Sequence, residues 1–284
     1  MPISDMTTSD NPDDPTDRWA ELDGPEAVAA AAGRLRQITN APSEIAAQRR
    51  FLDLLAPGPG EHVLDVGAGT GEITLELIRR VQPDGAVTAL DPSHGLLAIA
   101  QTAAQEEGLN KALTIDIGDA RDLPYADDRF DIAFCHWVLL HVEPPEDVIR
   151  EMARVVRPGG RLMCVEVDWE TMTISPGDRD LVRHIVRANV DRQIDGQIGR
   201  RLVSMFRQAG LQNVRVEPIV DVDCDGDQDG WLEVLKSRIP VVVDSGLVSS
   251  QEAQQWWSEV EEAVARGDYF FSLTQFAVVG QKPN

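Results

Sequence analysis

The apolar residues of this chain change their spacing several times, and each change marks an element. Val63, Leu64 and Val66 form a short apolar run, broken only by Asp65, that passes straight into Gly67-Ala68-Gly69-Thr70-Gly71. From Thr70 to Val81 the apolar positions then recur at helical spacing. A strand, a glycine loop and a helix in that order bring free backbone amides close to a ligand at a helix N-terminus. The same switch of period repeats downstream. Strand patterns at Ala86 to Leu90, Ala112 to Ile117, Phe130 to Cys135 and Arg161 to Val167 alternate with helical patterns at Pro92 to Glu107 and Glu146 to Val156. Strands alternating with helices predict a largely parallel sheet covered on both faces, an α/β fold. Ligands of such sheets bind outside the carboxyl ends of the strands, so strand-tip residues become the candidates for chemistry.

The flanks read differently. Met1 to Asp17 is rich in Asp, Pro, Ser and Thr and lacks the apolar residues that would offset the entropy of ordering, so residues 1–17 are expected to form a disordered tail. Residues 18–58 hold two N-terminal helices, near Pro25 to Gln37 and Ser43 to Ala56. On the second, Gln48 falls inside the apolar arc and needs a partner, whereas Arg49 falls at its flank, where a solvated position is expected. After the alternating core come helices at Ile174 to Gln193 and Gly199 to Gly210, a strand at Asn213 to Val220 and a last strand at Leu273 to Gly280. Residues 59–220 with 269–284 therefore make the core. Between them residues 221–268 carry helical runs at Trp231 to Ile239 and Ala253 to Ala265, and an insertion of that length predicts a helical cap over a binding pocket.

Charge and cysteine usage narrow the partners. The net charge of −22 repels polyanions, so neither nucleic acid nor an anionic membrane is expected as a partner. No apolar run reaches the roughly 18 residues of a membrane span, and the N-terminus lacks a basic region followed by an apolar one, which predicts a cytoplasmic protein. Cys135, Cys164 and Cys224 are odd in number and widely spaced, so they predict reduced thiols rather than a disulfide framework or a metal site. Asp221-Val222-Asp223-Cys224-Asp225-Gly226 starts like a calcium loop, but position twelve is Leu232 and a strand precedes it, so a solvated acidic turn is expected.

Four features taken together resemble the class I, Rossmann-like S-adenosylmethionine-dependent methyltransferases, in particular the ubiquinone-biosynthesis and small-molecule type. They are the G-x-G-x-G loop behind Asp65, Asp91 at the tip of the next strand, Gly118-Asp119-Ala120 after the third, and Phe130-Asp131 followed by Arg154-Val155-Val156-Arg157-Pro158-Gly159-Gly160. The resemblance covers roughly residues 60–220 and 273–281, leaving out the tail and the cap. It implies a seven-stranded, mostly parallel sheet with the last strand antiparallel, and S-adenosyl-L-methionine as cofactor. It also implies cofactor contacts from Asp65, Gly67, Gly69, Gly71, Asp91, Gly118, Asp119, Ala120 and Cys135, with Asp91 on the ribose hydroxyls and Asp119 on the adenine amino group. No Asn-Pro-Pro-Tyr run follows the fourth strand, which argues against methylation of DNA bases. The G-x-G-x-G spacing also departs from the G-x-G-x-x-G of nicotinamide enzymes.

Methyl transfer to an acceptor with a dissociable proton needs a base, for which His136, His141, Glu166, Asp168 and His184 are the candidates. His141 lies one turn beyond Trp137, and the resemblance implies that a histidine at this place serves as base or orienting group. Glu166, at a strand tip, is placed to steer the ring. The catalytic expectation is therefore His141 with Glu166, acting on a small-molecule acceptor such as a specialised metabolite, with no metal and with a homodimer left open. A methyltransferase-like protein that binds the cofactor without chemistry, as sensor or partner subunit, is the alternative.

Overall fold

In the computed structural model, residues 22, 24–226 and 231–284 are described. The expected tail over residues 1–17 lies outside them. The chain enters through α1 (Pro25–Thr39) and α2 (Pro42–Leu55), each with proline in its first turn, where the missing N–H has no helical partner to lose. The alternating core follows as β1 (His62–Val66), α3 (Glu72–Val81), β2 (Ala86–Asp91), α4 (His94–Glu106), β3 (Leu113–Ile117), β4 (Phe130–His136), α5 (Pro145–Val155) and β5 (Val156–Ser175). Then come α6 (Arg179–Arg192), α7 (Ile198–Gln208), β6 (Gln212–Asp223), α8 (Trp231–Asp244), α9 (Ser250–Arg266) and β7 (Phe270–Gln281).

The strands form one seven-stranded sheet in the order β3-β2-β1-β4-β5-β7-β6. Pairs from β3 through β5 are parallel, and β7 enters antiparallel to both β5 and β6. This is the Rossmann-like arrangement with its last strand reversed. Alternation along each strand sends side chains to two separate cores. Ile132, Phe134, Met163 and Val165 pack with α2 and α3 on one face. Ala133, Cys135, Leu162 and Cys164 pack with α5 and α7 on the other.

Two expectations fail at the distal end. The strand predicted at Arg161 to Val167 in fact runs from Val156 to Ser175 as β5, and the helix expected from Ile174 begins only at Arg179, as α6 behind the N-cap Asp178. The reason is legible in hindsight: Trp169, Met172 and Ile174 are buried while Glu170, Thr173 and Ser175 are exposed, a period of two, and Pro176-Gly177 then separates strand from helix. The acidic turn is not solvated either. β6 continues past Val220, and Asp221 and Asp223 point inward at 3% exposure while Val220 and Val222 face out. Asp223 Oδ1 accepts the amides of Asp225 and Gly226, and no group that could hold a metal ion is found among the described residues.

The upper half of β5 carries α6, α8 and α9. Trp169, Met172 and Ile174 join Ile185 of α6, Trp231, Leu235 and Ile239 of α8, Trp256 and Val260 of α9, and Phe271 of β7 in a third apolar cluster. α9 opens with a reciprocal capping box between Ser249 and Glu252 and closes on Gly267 at φ 76°. The seat of this cluster is tied to the core by Arg200 on α7. Its guanidinium grips the buried carboxylate of Asp168 through two nitrogens, one of them at 2.8 Å, and reaches Glu170 at 2.8 Å. Arg200→Ala should leave Asp168 buried without its cation and lower stability by about 1–3 kcal/mol, read as a fall in the urea unfolding midpoint, with Arg200→Lys recovering part of it.

Candidate functional site

The carboxyl ends of β1, β2 and β4 meet the glycine loop. Gly67, Gly69 and Gly71 have φ of 73°, 54° and 87°, in the left-handed region that side-chain-bearing residues avoid. Space matters as much as conformation. A Cβ on Gly67 would stand 2.3 Å from Val138, and one on Gly71 2.6 Å from Ala100, so the loop is clamped between the turn after β4 and helix α4. The loop also hangs from β2, because the amides of Gly67 and Ala68 both donate to the carbonyl of Leu90, at 2.7 and 3.1 Å.

Two aspartates sit beneath it. Asp91 is buried and accepts the amide of Gly69 at 3.0 Å through Oδ2 and that of Ser93 at 2.8 Å through Oδ1. Burial pushes its pKa up to about 6, opposed by those two hydrogen bonds. Asp65 accepts the Thr74 hydroxyl at 2.6 Å, and burial, followed by the neighbouring Asp91 charge, pushes its pKa up to about 7 against that bond. Each carboxylate oxygen of Asp91 has one backbone donor and a lone pair left, the valence needed to receive a vicinal diol. The Gly118 amide donates to the carbonyl of Asp91 at 3.3 Å, which brings Gly118-Asp119-Ala120 to the same edge. Leu35 of α1 lies against Gly69, and Arg36 pairs with Glu72 at 3.2 Å, so α1 covers the mouth of this crevice. The loop, the diol-matched carboxylate and the apolar cover fit an adenosyl cofactor.

Two residues implied by the resemblance are placed less directly. Asp119 is half exposed and its carboxylate is held by Arg121, at 2.7 Å on the closer nitrogen, which lowers its pKa. Cys135 is fully buried, and its thiol faces Cys164 in the core, with burial pushing its pKa well up.

The turn after β4 gathers the catalytic candidates. It is a 3₁₀ turn over Leu139–His141, and Trp137 just before it adopts φ 55°, a strained conformation for an aromatic residue. Glu166, fully buried, stabilises this turn: its Oε1 accepts the amides of Val138 at 2.9 Å and Leu139 at 2.7 Å. Its Oε2 has no hydrogen-bond partner, so Glu166 acts on the backbone that carries His141 rather than on the imidazole. Burial raises its pKa to about 8 against those amides. His141 itself is half-buried. His136 is buried between Phe51 and Trp137, at ring separations of 5.4 and 4.5 Å, and desolvation holds its pKa near 3, so it is neutral. Asp168 is locked to Arg200, and His184 is exposed on α6.

Gln48 finds its partner in the carbonyl of Thr39 at 2.9 Å, and Arg49 is exposed. Glu44, unremarked in the sequence, is buried, accepts Gln275 at 2.8 Å and stands 3.4 Å from His136 Nε2. Only the polar residue at a helical position facing inward could have signalled it, and Glu44 lies in the first turn, where acids are common for other reasons. Thr74 and the strained Trp137 also carried no sequence signal.

The profile described as "Methyltransferase domain" matches residues 64–164. The chain is 31% identical over 184 residues to a ubiquinone/menaquinone biosynthesis C-methyltransferase of Roseobacter denitrificans, covering 58% of this chain and 72% of that one. It is 33% identical over 232 residues to an uncharacterised 37.1 kDa protein in transposon TN4556 of Streptomyces fradiae, covering 81% of this chain and 65% of that protein. A demethylmenaquinone methyltransferase of Symbiobacterium thermophilum is 37% identical over 108 residues, 38% of this chain and 43% of its own length, so the chain spans less than two thirds of these last two relatives. In fold it is similar to phosphoethanolamine N-methyltransferase 2 of Haemonchus contortus, solved with S-adenosyl-L-methionine, at a TM-score of 0.61 and 16% identity, covering 94% of this chain and 60% of that one.

The raised acids make a prediction about pH. Asp65, Asp91 and Glu166 bind protons more readily folded, with values of about 7, 6 and 8, than they would unfolded. Their contribution to stability is full below the ordinary carboxylate pKa and is lost as pH rises through those values. Asp65→Asn and Asp91→Asn should therefore flatten the decline of Tm with rising pH between about 5 and 8, measured without ligand.

Proposed function

The chain belongs to the class I, Rossmann-like S-adenosylmethionine-dependent methyltransferases, and on that premise we propose that it methylates a small, largely apolar acceptor held beneath its helical cap. The observation that carries the reading is the contact of the Gly69 amide with Asp91 Oδ2 at 3.0 Å, which puts loop amides and a buried carboxylate in one crevice. S-adenosyl-L-methionine, when bound, supplies an electrophilic methyl on a sulfonium whose charge vanishes on transfer. Asp91 would accept both ribose hydroxyls, and the loop from Gly67 to Gly71 would bring its amides under the methionine end. Asp119 and the amide of Ala120 are assigned to the adenine, with the Asp119 carboxylate exchanging Arg121 for the amino group. Because charge is lost in the transition state, a dry site favours the reaction, and the apolar cluster of the cap excludes water.

An acceptor hydroxyl or ammonium must also give up a proton. His141 is assigned that proton, at a ring nitrogen, and Glu166 acts as a positioning residue through the amides of Val138 and Leu139. The relatives named for quinone methylation support a flat, apolar acceptor for this chain too. The working environment is taken to be the cytoplasm, and a specialised metabolite suits the acidic surface, which offers nothing to a polyanion.

Asp91→Ala should weaken S-adenosyl-L-methionine binding by about 10- to 100-fold in calorimetry, the loss expected for hydrogen bonds to a charged acceptor. Unchanged affinity in a folded variant would remove Asp91 from the ribose. With an acceptor found by screening, His141→Ala should lower turnover about 10²- to 10⁴-fold while cofactor affinity stays intact. A variant as active as the wild type from pH 5 to about 8 would assign His141 to packing.

A further inference from the structure

The two helices that open the described chain are fastened very differently. α2 is part of the core on one face of the sheet, where Ala47, Phe51, Leu52 and Leu55 are each at most 1% exposed. Its first turn adds polar ties, since Glu44 accepts Gln275 of β7 at 2.8 Å and stands 3.4 Å from His136 Nε2 at the end of β4. α1 belongs instead to a separate small cluster, whose buried members among the described residues are Ala31, Ala32 and Leu96. Two alanines remove little apolar surface from water, so α1 is held far less firmly than its neighbour. The turn between them is two residues long, Asn40 and Ala41, and Gln48 of α2 grips its near side by donating to the Thr39 carbonyl at 2.9 Å. A loosely held helix is thus hinged on a fixed one.

α1 lies where the cofactor has to enter. Leu35 Cδ1 comes within 3.4 Å of the place a Cβ on Gly69 would occupy, and Gly69 is the loop residue whose amide reaches Asp91. Further along, Val28 sits against Gly95 at the start of α4, where a Cβ would stand 2.6 Å from its Cγ2. The absence of side chains at Gly69 and Gly95 lets the helix lie close across the loop and the first turn of α4. Asp91 is only 5% exposed beneath that loop. An adenosyl group therefore reaches this carboxylate and the amide of Gly69 only when Leu35 moves aside.

What fastens α1 to the loop is a single carboxylate. Arg36 donates through Nε to Glu72 Oε1 at 3.2 Å, and Glu72 Oε2 accepts the hydroxyl of Thr70, a buried residue of the glycine loop, at 2.5 Å. Glu72 so joins helix and loop through its two oxygens. The arginine side chain is 48% exposed, which makes the pair weak and sensitive to salt.

We propose that α1 is a lid that swings about Asn40 and Ala41 to admit and release the cofactor, with Glu72 as the latch that closes it onto the glycine loop. The identity of the cofactor rests on the methyltransferase reading above, whereas the motion belongs to the free protein.

Two measurements test this. In the ligand-free full-length protein, hydrogen exchange followed by mass spectrometry should find the amides of α1 exchanging at least about tenfold faster than those of α2, with S-adenosyl-L-methionine slowing α1. Rates in the two helices closer than that would overturn the proposal. The second measurement locks the helix. A Cβ on Gly95 would lie 3.3 Å from that of Val28, near the roughly 3.5–4.5 Å a disulfide spans, so Val28→Cys with Gly95→Cys in a Cys224→Ser background can be closed with diamide. The oxidised protein should take up and release S-adenosyl-L-methionine at least about tenfold more slowly in stopped-flow fluorescence than the same protein reduced with dithiothreitol. Equal rates in the two forms would overturn the lid. Glu72→Gln, and added salt in the wild type, should both speed release, and unchanged release in Glu72→Gln would overturn the latch. Should the double-cysteine variant fail to fold, hydrogen exchange in the wild type decides. A protein whose α1 exchanges fast but which shows no S-adenosyl-L-methionine binding in calorimetry would strike the cofactor reading and leave the lid standing.

Discussion

Carboxylates held away from water at the carboxyl edge of the sheet are the constraint around which the rest of the molecule is arranged. Asp65, Asp91, Glu166 and Asp168 are each at most 5% exposed. Each such group costs several kcal/mol to desolvate unless it receives hydrogen bonds, about the net stability of a whole domain when several are added together. The fold answers with a separate device for each: the Thr74 hydroxyl for Asp65, the loop amide of Gly69 for Asp91, the turn amides of Val138 and Leu139 for Glu166, and the Arg200 guanidinium for Asp168. These same bonds hold the glycine loop and the post-β4 turn in place, so the acids organise the site before any ligand arrives. The need for close approach follows, and it is why glycine stands where a methyl group would strike Val138 or Ala100.

What the sequence disclosed was whatever depends on local pattern. The alternating strands and helices from His62 to Val167, the glycine loop and Asp91 could be read because each imposes a period or a spacing on neighbouring residues, whereas the reversal of the last strand came only with the family resemblance. The length of β5 was not legible past Val167, since Asp168 and Glu170 interrupt the apolar run and the bulge between Asp168 and Thr173 breaks its pairing with β7. Asp221 and Asp223 were misread for a related reason. Acids at alternate positions look solvated, and only the pairing of β6 with β7, which sets Asp221 beside Gln275, turns them inward. Glu44 and Gln275 lie 231 residues apart and meet only in the folded chain.

The candidate catalytic pair was legible in its residues but not in its geometry. His141 and Glu166 do converge on one turn, yet the connection runs through backbone amides, because a buried glutamate satisfies itself with the nearest donors and the exposed backbone of a 3₁₀ turn offers two at once. A sequence names side chains and is silent about which amides a turn leaves free. The strain at Trp137 belongs to the same turn, whose conformation the Glu166 carboxylate fixes.

The long β5 strand has a consequence for how such a protein can change. Its lower half is the last parallel strand of the sheet, and its upper half, with the start of β7, underlies the third apolar cluster. Cluster and sheet therefore share β5 and β7, whose pairing resumes beyond the bulge between Asp168 and Thr173, and they are not two domains joined by a linker. Helices α8 and α9 rest on β5 through apolar side chains, so substitutions in them can change their packing without touching the hydrogen-bond ladder of the sheet.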